Sequence, residues 1–364
     1  MSESERVCPR KKKKMIEDMI RRVEAVDARF FESARKKWDS IAKPLHGLGL
    51  LEDAVCVIAA VQGTVSPCVD KRALAVFCAD NGIVAEGVSQ TDSHVTAVVA
   101  KNLCAGKTSV CRMARVAKCD VLAVDVGMKE RVLDSALLDL AVARGTKNFL
   151  HEDAMTRGEA ELALMHGAEV AARFASEGNR LVAVGEMGIG NTTTSSAMAS
   201  VLLDVPVEDV TGAGAGLSAE GVAHKIDVIR RGILLRKPNV DDAIDVLCKL
   251  GGFDIAAMAG FMLGAAARRI PVVLDGVISQ VAALVAVRLC PRVRDYLLAS
   301  HVGSEKASAL LLDALGLRAV VDAGMHLGEG TGAMTLIPLL DMALSVYNEM
   351  ATFDDIQIEA YRPL

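Results

Sequence analysis

The sequence predicts an α/β fold: a Rossmann-like, mainly parallel sheet flanked by helices. Short apolar, β-branched segments alternate with longer segments rich in Ala, Leu and Met, as expected where crossover helices join parallel strands. Five segments are predicted as buried strands, at residues 73–79, 121–126, 181–184, 270–274 and 296–300. Glycine or polar residues follow each of them. Because parallel strands end at the same edge of a sheet, these residues are expected to line one crevice.

The N-terminal part of the chain has a different pattern, with apolar residues at helical spacing among charges between residues 11 and 42. This pattern predicts one or two amphipathic helices, which end before Pro44, Gly47 and Gly49. We predict three parts: an N-terminal helical segment (1–54), a large α/β domain (55–335) and a C-terminal helical segment (336–364). The first and last segments are expected to form a smaller helical domain.

The composition excludes several classes of protein. With 52% hydrophobic and 24% charged residues among 364, the chain is too apolar to be disordered. A net charge of −5 argues against a nucleic-acid partner. The basic run at residues 10–14 is interpreted as a solvated helix start, with contact to an anionic surface as the alternative. No uncharged apolar stretch reaches the roughly 20 residues of a membrane span, so no membrane partner is expected.

Nine cysteines are scattered along the chain, without a Cys-x-x-Cys pair or the Cys and His spacing that is typical of metal sites. An odd, scattered set predicts a reduced chain in the cytoplasm, with most thiols packed as small apolar side chains. No metal site is predicted.

Three glycine-rich segments are candidates for ligand binding, at residues 185–193, 211–216 and 328–332. Glycines at a helix start allow close approach to unpaired amides, which suit a phosphate, and Lys225 follows the second segment as a possible point charge. The first and third segments place Glu186 and Glu329 among glycines. Tight turns without a ligand are the alternative for each segment. Dinucleotide and P-loop fingerprints are absent, so the residues indicate a phosphorylated metabolite but name no reaction.

At these segments the sequence resembles the nicotinate-nucleotide:5,6-dimethylbenzimidazole phosphoribosyltransferases, which activate the lower ligand of cobalamin. The matching stretches run in family order from about Lys43, and the most specific are GEMGIGNTT from Gly185, GGFDIAAMAG from Gly251 and LGEGTGA from Leu327. The resemblance implies transfer of phosphoribose from nicotinate mononucleotide to an aromatic base, with release of nicotinate, inversion at the anomeric carbon and no metal or organic cofactor. It also implies a homodimer, with a heterodimer formed with a paralogue as the alternative.

The resemblance also assigns roles to residues. Glu329 is implied as the general base that takes the proton of the attacking nitrogen, and a carboxylate there also tolerates an oxocarbenium-like transition state. The phosphoribose site is implied to comprise Glu186, Gly188, Gly190, Asn191, Thr192, Gly214, Gly216, Lys225 and Ser300. The acceptor pocket is implied to comprise Asp80, Asn81, Ser89, Ser93 and Leu327.

The sequence departs from the family pattern mainly around the acceptor pocket. It has Asn81 where the family commonly has His, Thr-Asp-Ser at residues 91–93 where the family has Tyr-Pro-Gln, and His326 where the family has Arg. Hydrogen-bonding groups in a pocket discriminate strongly between ligands. We therefore hypothesise an acceptor other than dimethylbenzimidazole: another benzimidazole, a purine or a phenol such as p-cresol.

Other interpretations exist for the residues and for the chain. Glu329 also suits a helix start, Lys225 a surface cation, Ser89 a turn hydroxyl and Asp80 a cap. The chain is alternatively a weak or silent subunit of a heteromeric transferase, or a module that binds nicotinate mononucleotide without releasing nicotinate. A transferase that uses phosphoribosyl pyrophosphate is disfavoured, because its acidic pair and Thr-Gly-Gly-Thr-like loop are absent.

Overall fold

Six parallel strands form the central sheet of the protein. The structure is a computed structural model that describes residues 9–361, with side chains from residue 14 onward. The strands are β1 Arg72–Ala79, β2 Asp120–Gly127, β3 Leu137–Asp139, β4 Leu181–Met187, β5 Val272–Leu274 and β6 Leu297–Ala299. Their order in the sheet is β3-β2-β1-β4-β5-β6, which is the order of the Rossmann fold. Two further short strands, β7 (His301–Val302) and β8 (Val321–Asp322), form a separate parallel pair.

The predicted α/β fold with a Rossmann-like parallel sheet is confirmed, and all five predicted strands are present. The strand predicted at residues 270–274 is β5, which begins at Val272 and not at Ile270. The reason is that Pro271 has no backbone N–H to donate. Strands β3, β7 and β8 were not predicted. They are two or three residues long, too short for an apolar pattern to stand out.

Helices cover both faces of the sheet. They are α1 Pro9–Arg21, α2 Ala28–Ser40, α3 Leu50–Gln62, α4 His94–Cys104, α5 Ser109–Val116, α6 Arg157–Ser176, α7 Asn191–Leu203, α8 Val207–Val210, α9 Ala219–Arg236, α10 Ala243–Leu250, α11 Phe253–Ala266, α12 Val277–Leu289, α13 Ala307–Leu315 and α14 Thr331–Glu349. One or two amphipathic helices were predicted between residues 11 and 42, and the structure has two there, α1 and α2. The basic run begins α1, and its side chains at residues 10–13 lie outside the described side chains.

The core consists of two apolar layers, one on each side of the sheet. Along β1, alternate residues point to opposite faces, as the pleat of a strand requires. Phe77 packs in the layer formed with α6, α7, α10, α11 and α12, whereas Val76 packs in the layer formed with α3, α4, α5 and α14. The sheet is therefore buried on both faces. A ligand can reach it at the edge where the carboxyl ends of the strands lie.

Close packing of α6 against α11 depends on small residues. A Cβ atom on Gly260 would lie against the carbonyl oxygen of Leu164, and one on Gly167 would lie against the carbonyl oxygen of Ala257. Glycine at both positions lets the two backbones touch. This contact fixes α11, and the first turn of α11 carries Asp254 to the carboxyl edge of the sheet.

The N-terminal and C-terminal segments contact each other. The rings of Trp38 and Tyr347 lie 4.9 Å apart, and Ile41 forms an isolated antiparallel bridge with Thr352. The predicted boundaries after residues 54 and 335 fall inside α3 and α14. The division into a large α/β domain and a smaller helical domain stays a prediction.

Candidate active site

A cleft of about 210 Å³ opens at the carboxyl ends of β4, β5 and β6. The expected crevice at the ends of parallel strands is therefore present for these three strands. Asp275, directly after β5, and His301, two residues after β6, both line it. The predicted site residues that line it are Glu186, Gly188, Asn191, Thr192, Gly214, Leu327 and Glu329.

One side of the cleft combines the start of α7 with the loop at residues 211–216. Gly190 has a φ of 91°, a left-handed conformation that lets the chain turn from β4 into α7. Gly214, with a φ of 55°, lies so close to α7 that a Cβ there would be 2.9 Å from the Thr192 hydroxyl. Unpaired amides at the start of a helix attract anions, so this side suits a phosphate.

Lys225 supplies a positive charge beneath this loop. Its side chain is 1% exposed, and its Nζ donates to the Thr192 hydroxyl at 2.9 Å and to the Gly212 carbonyl at 3.4 Å. Burial lowers the pKa of Lys225 to about 8, while the nearby Glu305 carboxylate opposes this shift. The interpretation of Lys225 as a surface cation is wrong, because the side chain is buried.

Carboxyl groups gather around Asn191, the first residue of α7. Glu186, near the end of β4, and Asp254, in the first turn of α11, are both buried. The Asn191 amide donates to Glu186 Oε2 and lies 3.5 Å from Asp254 Oδ2. Burial raises the pKa of Glu186 well above its usual range, and the neighbouring Asp254 and Asp275 raise it further. Burial also raises the pKa of Asp254 to about 6, against hydrogen bonds from Ile255 and Asn191.

Glu329 lies in a loop of unusual backbone conformation. Gly328, Glu329 and Gly330 all have positive φ, and Glu329 is the residue that bears a side chain. Its Oε2 is 3.5 Å from the amide nitrogen of Val110, near the start of α5. Burial raises the pKa of Glu329, while hydrogen bonds from Val110 and Thr108 lower it and the charge of Asp275 raises it. The result is a half-buried carboxyl group with a raised pKa, which is typical of an acid–base residue.

Asp275 and His301 complete the floor of the cleft. Asp275 accepts hydrogen bonds from the amides of Gly330 and Gly332, at 2.9 and 2.7 Å. Burial raises the pKa of Asp275, and the nearby His301 lowers it. The Ser300 hydroxyl is fully buried and lies 3.0 Å from His301 Nδ1. Ser300 thus lies behind His301, which lines the cleft, and the phosphoribose role that the resemblance implies for Ser300 stays a prediction.

The predicted acceptor residues do not all lie together. Leu327 lines the cleft, whereas Ser89 lines a small adjoining cavity that shares Gly188, Asn191 and Thr192 with it. Gly190 lines the same small cavity, and the carbonyl of Gly216 accepts a hydrogen bond from Gln90 there. Asp80, Asn81 and Ser93 line a third cavity, of about 470 Å³, at the ends of β1 and β2.

The buried residues of the third cavity are held from within the protein. Asp80 accepts hydrogen bonds from the Thr96 hydroxyl at 2.6 Å and from the Lys129 amide at 2.7 Å. Burial raises the pKa of Asp80, and these two hydrogen bonds lower it. Asn81 Oδ1 accepts from the Thr194 hydroxyl at 2.9 Å, and its Nδ2 is buried without a partner. Both side chains thus tie the loop after β1 to its neighbours.

Sequence reasoning missed two contributors to the site. Asp254 and Thr108 lie at the starts of helices and not at strand ends, so the strand-end signal did not select them. A signal for Asp254 was available, because it belongs to the GGFDIAAMAG stretch. Thr108 carried no signal, since its contact with Glu329 joins residues that lie far apart in the chain.

Residues 9–361 show neither a metal site nor a membrane span. In that range, His, Cys, Asp and Glu form no group of three or more with the arrangement of a metal site. No helix there has the length and apolar character needed to cross a membrane.

The comparisons with known proteins agree on one family. A family model described as "Phosphoribosyltransferase" matches residues 23–358. The nicotinate-nucleotide–dimethylbenzimidazole phosphoribosyltransferase of Clostridium acetobutylicum is 42% identical over 349 residues, covering 96% of this chain and 99% of the relative. The enzyme of the same name from Ruminiclostridium cellulolyticum is 41% identical over 348 residues, covering 96% of this chain and 99% of the relative.

A solved structure gives the same result. The crystal structure of CobT from Thermus thermophilus superposes with a TM-score of 0.87 at 38% identity, covering 92% of this chain and all of that one. A second structure from that organism, named as the dimethylbenzimidazole phosphoribosyltransferase, has a TM-score of 0.86 at 38% identity and covers 92% and 99%. From the family match, the relatives and the fold, we conclude that the chain belongs to the nicotinate-nucleotide:5,6-dimethylbenzimidazole phosphoribosyltransferase family.

Proposed function

We propose that this protein transfers phosphoribose from nicotinate mononucleotide to an aromatic lower-ligand base, giving an α-ribazole-type 5′-phosphate and nicotinate. One observation carries the proposal: the Glu329 carboxyl group shares a cleft with the glycine-rich start of α7, beneath which Lys225 is buried. A phosphate-binding side and a carboxyl group of raised pKa are the two features that this transfer requires.

In the proposed reaction, the phosphate of the nucleotide binds at the start of α7 and at residues 214–216. Lys225 supplies the positive charge there through its contact with Thr192. The attacking nitrogen of the acceptor forms a bond to C1 of the ribose, and the C1–nitrogen bond to nicotinate breaks. The bonding electrons go to the pyridine nitrogen, which becomes neutral. The ionised Glu329 carboxylate takes the proton of the attacking nitrogen.

The carboxyl cluster supports the same reaction. Cleavage of a glycosidic bond passes through an oxocarbenium-like state, in which positive charge develops on the ribose. Glu186 and Asp254 are joined by the amide of Asn191, the first residue of α7, next to the residue that Lys225 contacts. The raised pKa of Glu186 favours its protonated form, which can donate a hydrogen bond to a ribose hydroxyl, while the ionised form of Asp254 stabilises positive charge in the transition state. We assign Glu186 to the ribose on this basis.

The acceptor is proposed to differ from dimethylbenzimidazole. The proposal rests on the departures at Asn81 and Ser93 and on the tie between Asn81 and Thr194, which connects the loop after β1 to α7. A different side chain at position 81 would change this contact with α7. A heteromeric homologue that activates a phenolic acceptor is the second candidate.

We also propose that the protein is a homodimer in the cytoplasm. Val116 and Leu133 are 77% and 83% exposed, and an interface would remove such side chains from water. All eight cysteines in the described part of the chain are free, which suits a reducing compartment. Light scattering of the purified chain, alone and mixed with any paralogue, distinguishes the homodimer from a monomer and from a heterodimer.

The decisive experiment measures nicotinate release from nicotinate mononucleotide by the purified chain alone. Dimethylbenzimidazole, adenine and p-cresol are supplied in parallel, to wild type and to Glu329→Gln. We expect acceptor-dependent release by wild type, strongest for an acceptor other than dimethylbenzimidazole, and loss of release in the variant.

Each other outcome has a distinct meaning. An overwhelming preference for dimethylbenzimidazole refutes the altered acceptor but leaves the transferase intact. No release with any acceptor, combined with binding of the nucleotide, identifies a binding module or a subunit that needs its partner.

A further inference from the structure

The loop that carries Glu329 is held in a conformation that glycine adopts readily and glutamate rarely adopts. The φ angles of Gly328, Glu329 and Gly330 are 89°, 61° and 94°. The left-handed region is unfavourable for a residue with a Cβ atom. Glu329 therefore keeps this conformation only because surrounding contacts enforce it.

Two of these contacts come from a single carboxyl group. Asp275 Oδ2 accepts from the Gly330 amide at 2.9 Å, and Oδ1 accepts from the Gly332 amide at 2.7 Å. Asp275 directly follows β5 and is 3% exposed, so the sheet fixes its place. It ties the start of α14, and the loop that precedes α14, to the carboxyl end of β5.

The other contacts of this loop are weaker constraints. Within the described residues, the remaining hydrogen bonds to the main chain of residues 328–332 are local, such as those from the Thr331 amide and hydroxyl to the Gly328 carbonyl at 3.0 and 2.9 Å. On the far side the loop packs against Gly185 of β4, where a Cβ would come within 2.6 Å of the Glu329 carbonyl carbon. This packing limits movement toward β4 but forms no bond.

We propose that Asp275 is a positioning residue for Glu329. The Asp275 carboxyl group accepts hydrogen bonds from the two amides that flank Thr331. These bonds fix the direction in which the Glu329 carboxyl group points into the cleft. The inference rests on the proposed function, in which Glu329 takes the proton from the acceptor. Proton transfer requires hydrogen-bond distance, so a small displacement of the loop reduces the rate without preventing nucleotide binding on the α7 side.

The test is the variant Asp275→Asn, which keeps one acceptor oxygen and replaces the other with a donor. We expect kcat for nicotinate release to fall by about 100-fold, with KM for nicotinate mononucleotide within about threefold of wild type. In a Glu329→Gln background the same substitution is expected to lower kcat by less than about threefold, because Asp275 acts through Glu329. A role in stability alone would not produce this dependence on Glu329.

A matched control is available at Asp242, which caps α10. Its Oδ1 accepts from the amides of Ile244 and Asp245 at 3.0 and 3.2 Å, and Asp242 does not line the cleft. Asp242→Asn is expected to lower the melting temperature and leave kcat unchanged. If Asp275→Asn does not fold, Asp275→Glu replaces it, since it keeps both oxygens on a longer side chain and is expected to lower kcat as well.

The outcomes separate this proposal from the proposed function. An active wild type with an unchanged kcat in the Asp275 variant overturns the positioning role alone. The positioning role is also overturned if Asp275→Asn lowers kcat by the same factor in the wild-type and Glu329→Gln backgrounds. It is overturned as well if the substitution raises KM and leaves kcat unchanged. A wild type that releases no nicotinate overturns the proposed function and this proposal together.

Discussion

Lys225 Nζ donates to the Thr192 hydroxyl at 2.9 Å, although the two residues lie on different helices, α9 and α7. The contact places a buried ammonium group directly beneath the glycine-rich start of α7. The hydrogen bonds of Lys225 go to the neutral oxygens of Thr192 and Gly212, and the nearby Glu305 carboxylate favours its charged form. We expect this charge to attract an anion at the start of α7. The first prediction follows from this relationship.

Replacement of Lys225 with methionine is expected to raise KM for nicotinate mononucleotide by about 10-fold to 100-fold, because a buried charge-assisted contact with phosphate contributes roughly 1.5–3 kcal/mol. The measurement is steady-state nicotinate release. In wild type, KM is also expected to rise above pH 8, because the pKa of Lys225 is about 8 and its charge is lost as pH increases through that value.

The control for this prediction is Lys71→Met. Lys71 lies at the amino-terminal edge of the sheet, where its Nζ donates to the Glu177 carbonyl. Its loss is expected to leave KM unchanged. An equal rise in KM for both variants would contradict the prediction. It would show that Lys225 acts through the net charge of the protein and not through a local contact with the phosphate.

Replacement of Glu329 with glutamine is expected to reduce kcat by roughly 100-fold to 10,000-fold, the usual contribution of general acid–base catalysis. The carboxylate is the active form, so wild-type kcat is expected to fall as pH decreases through the pKa of Glu329. Since burial raises this pKa, the acid limb lies above the ordinary value of 4.5. A pH–rate profile measures both the loss in kcat and the position of the acid limb. Glu152→Gln, at an exposed position, is the control. An acid limb that persists unchanged in Glu329→Gln would contradict the role of Glu329 as general base.

Replacement of Asp254 with asparagine is expected to stabilise the protein at neutral pH while lowering its activity. The folded-state pKa of Asp254 is raised to about 6 from 3.8, so the fold disfavours the ionised form. The stability of wild type that depends on this group is present below pH 4 and is lost as pH rises through about 6. The shift corresponds to a gain on the order of 3 kcal/mol for the variant at pH 7, and to almost none at pH 4.

Denaturant unfolding at the two pH values tests this prediction. The exposed Asp241→Asn serves as the control and is expected to change stability little at either pH. A variant of Asp254 that is destabilised at pH 7 would mean that its hydrogen bond with the Ile255 amide outweighs the cost of burying its charge.

Replacement of Gly185 with alanine is expected to displace the Glu329 loop. A Cβ at position 185 would lie 2.5 Å from the Gly330 nitrogen, and the rigid strand cannot yield. We expect a loss of about 1–3 kcal/mol in unfolding free energy from overpacking and a reduction in kcat. Gly158→Ala, in the first turn of α6, meets no atom within 4 Å and is expected to be neutral or slightly stabilising. Equal activity of the two variants would show that the loop tolerates displacement.

The amino-acid sequence by itself determined the fold class, the strands that end at the cleft and the glycine-rich segments that contribute to it. These features are local. Apolar runs such as residues 73–79 identify buried strands, and glycines beside Glu186 and Glu329 mark turns at the ends of elements, so a single window of sequence contains the whole signal. The family resemblance was readable for the same reason, since its motifs are continuous.

Only the tertiary structure decided which distant residues meet. Asp275 holds the Glu329 loop, Asp254 reaches the Asn191 amide, and Thr108 contacts Glu329, yet no spacing in the sequence relates the two members of each pair. The burial of Lys225 and the location of Asn81 in a different cavity were equally invisible, because the exposure of a side chain depends on elements packed over it from elsewhere in the chain. Pairings between strand ends and helix starts arise only when the sheet assembles, and they set the pKa values on which the proposed chemistry depends.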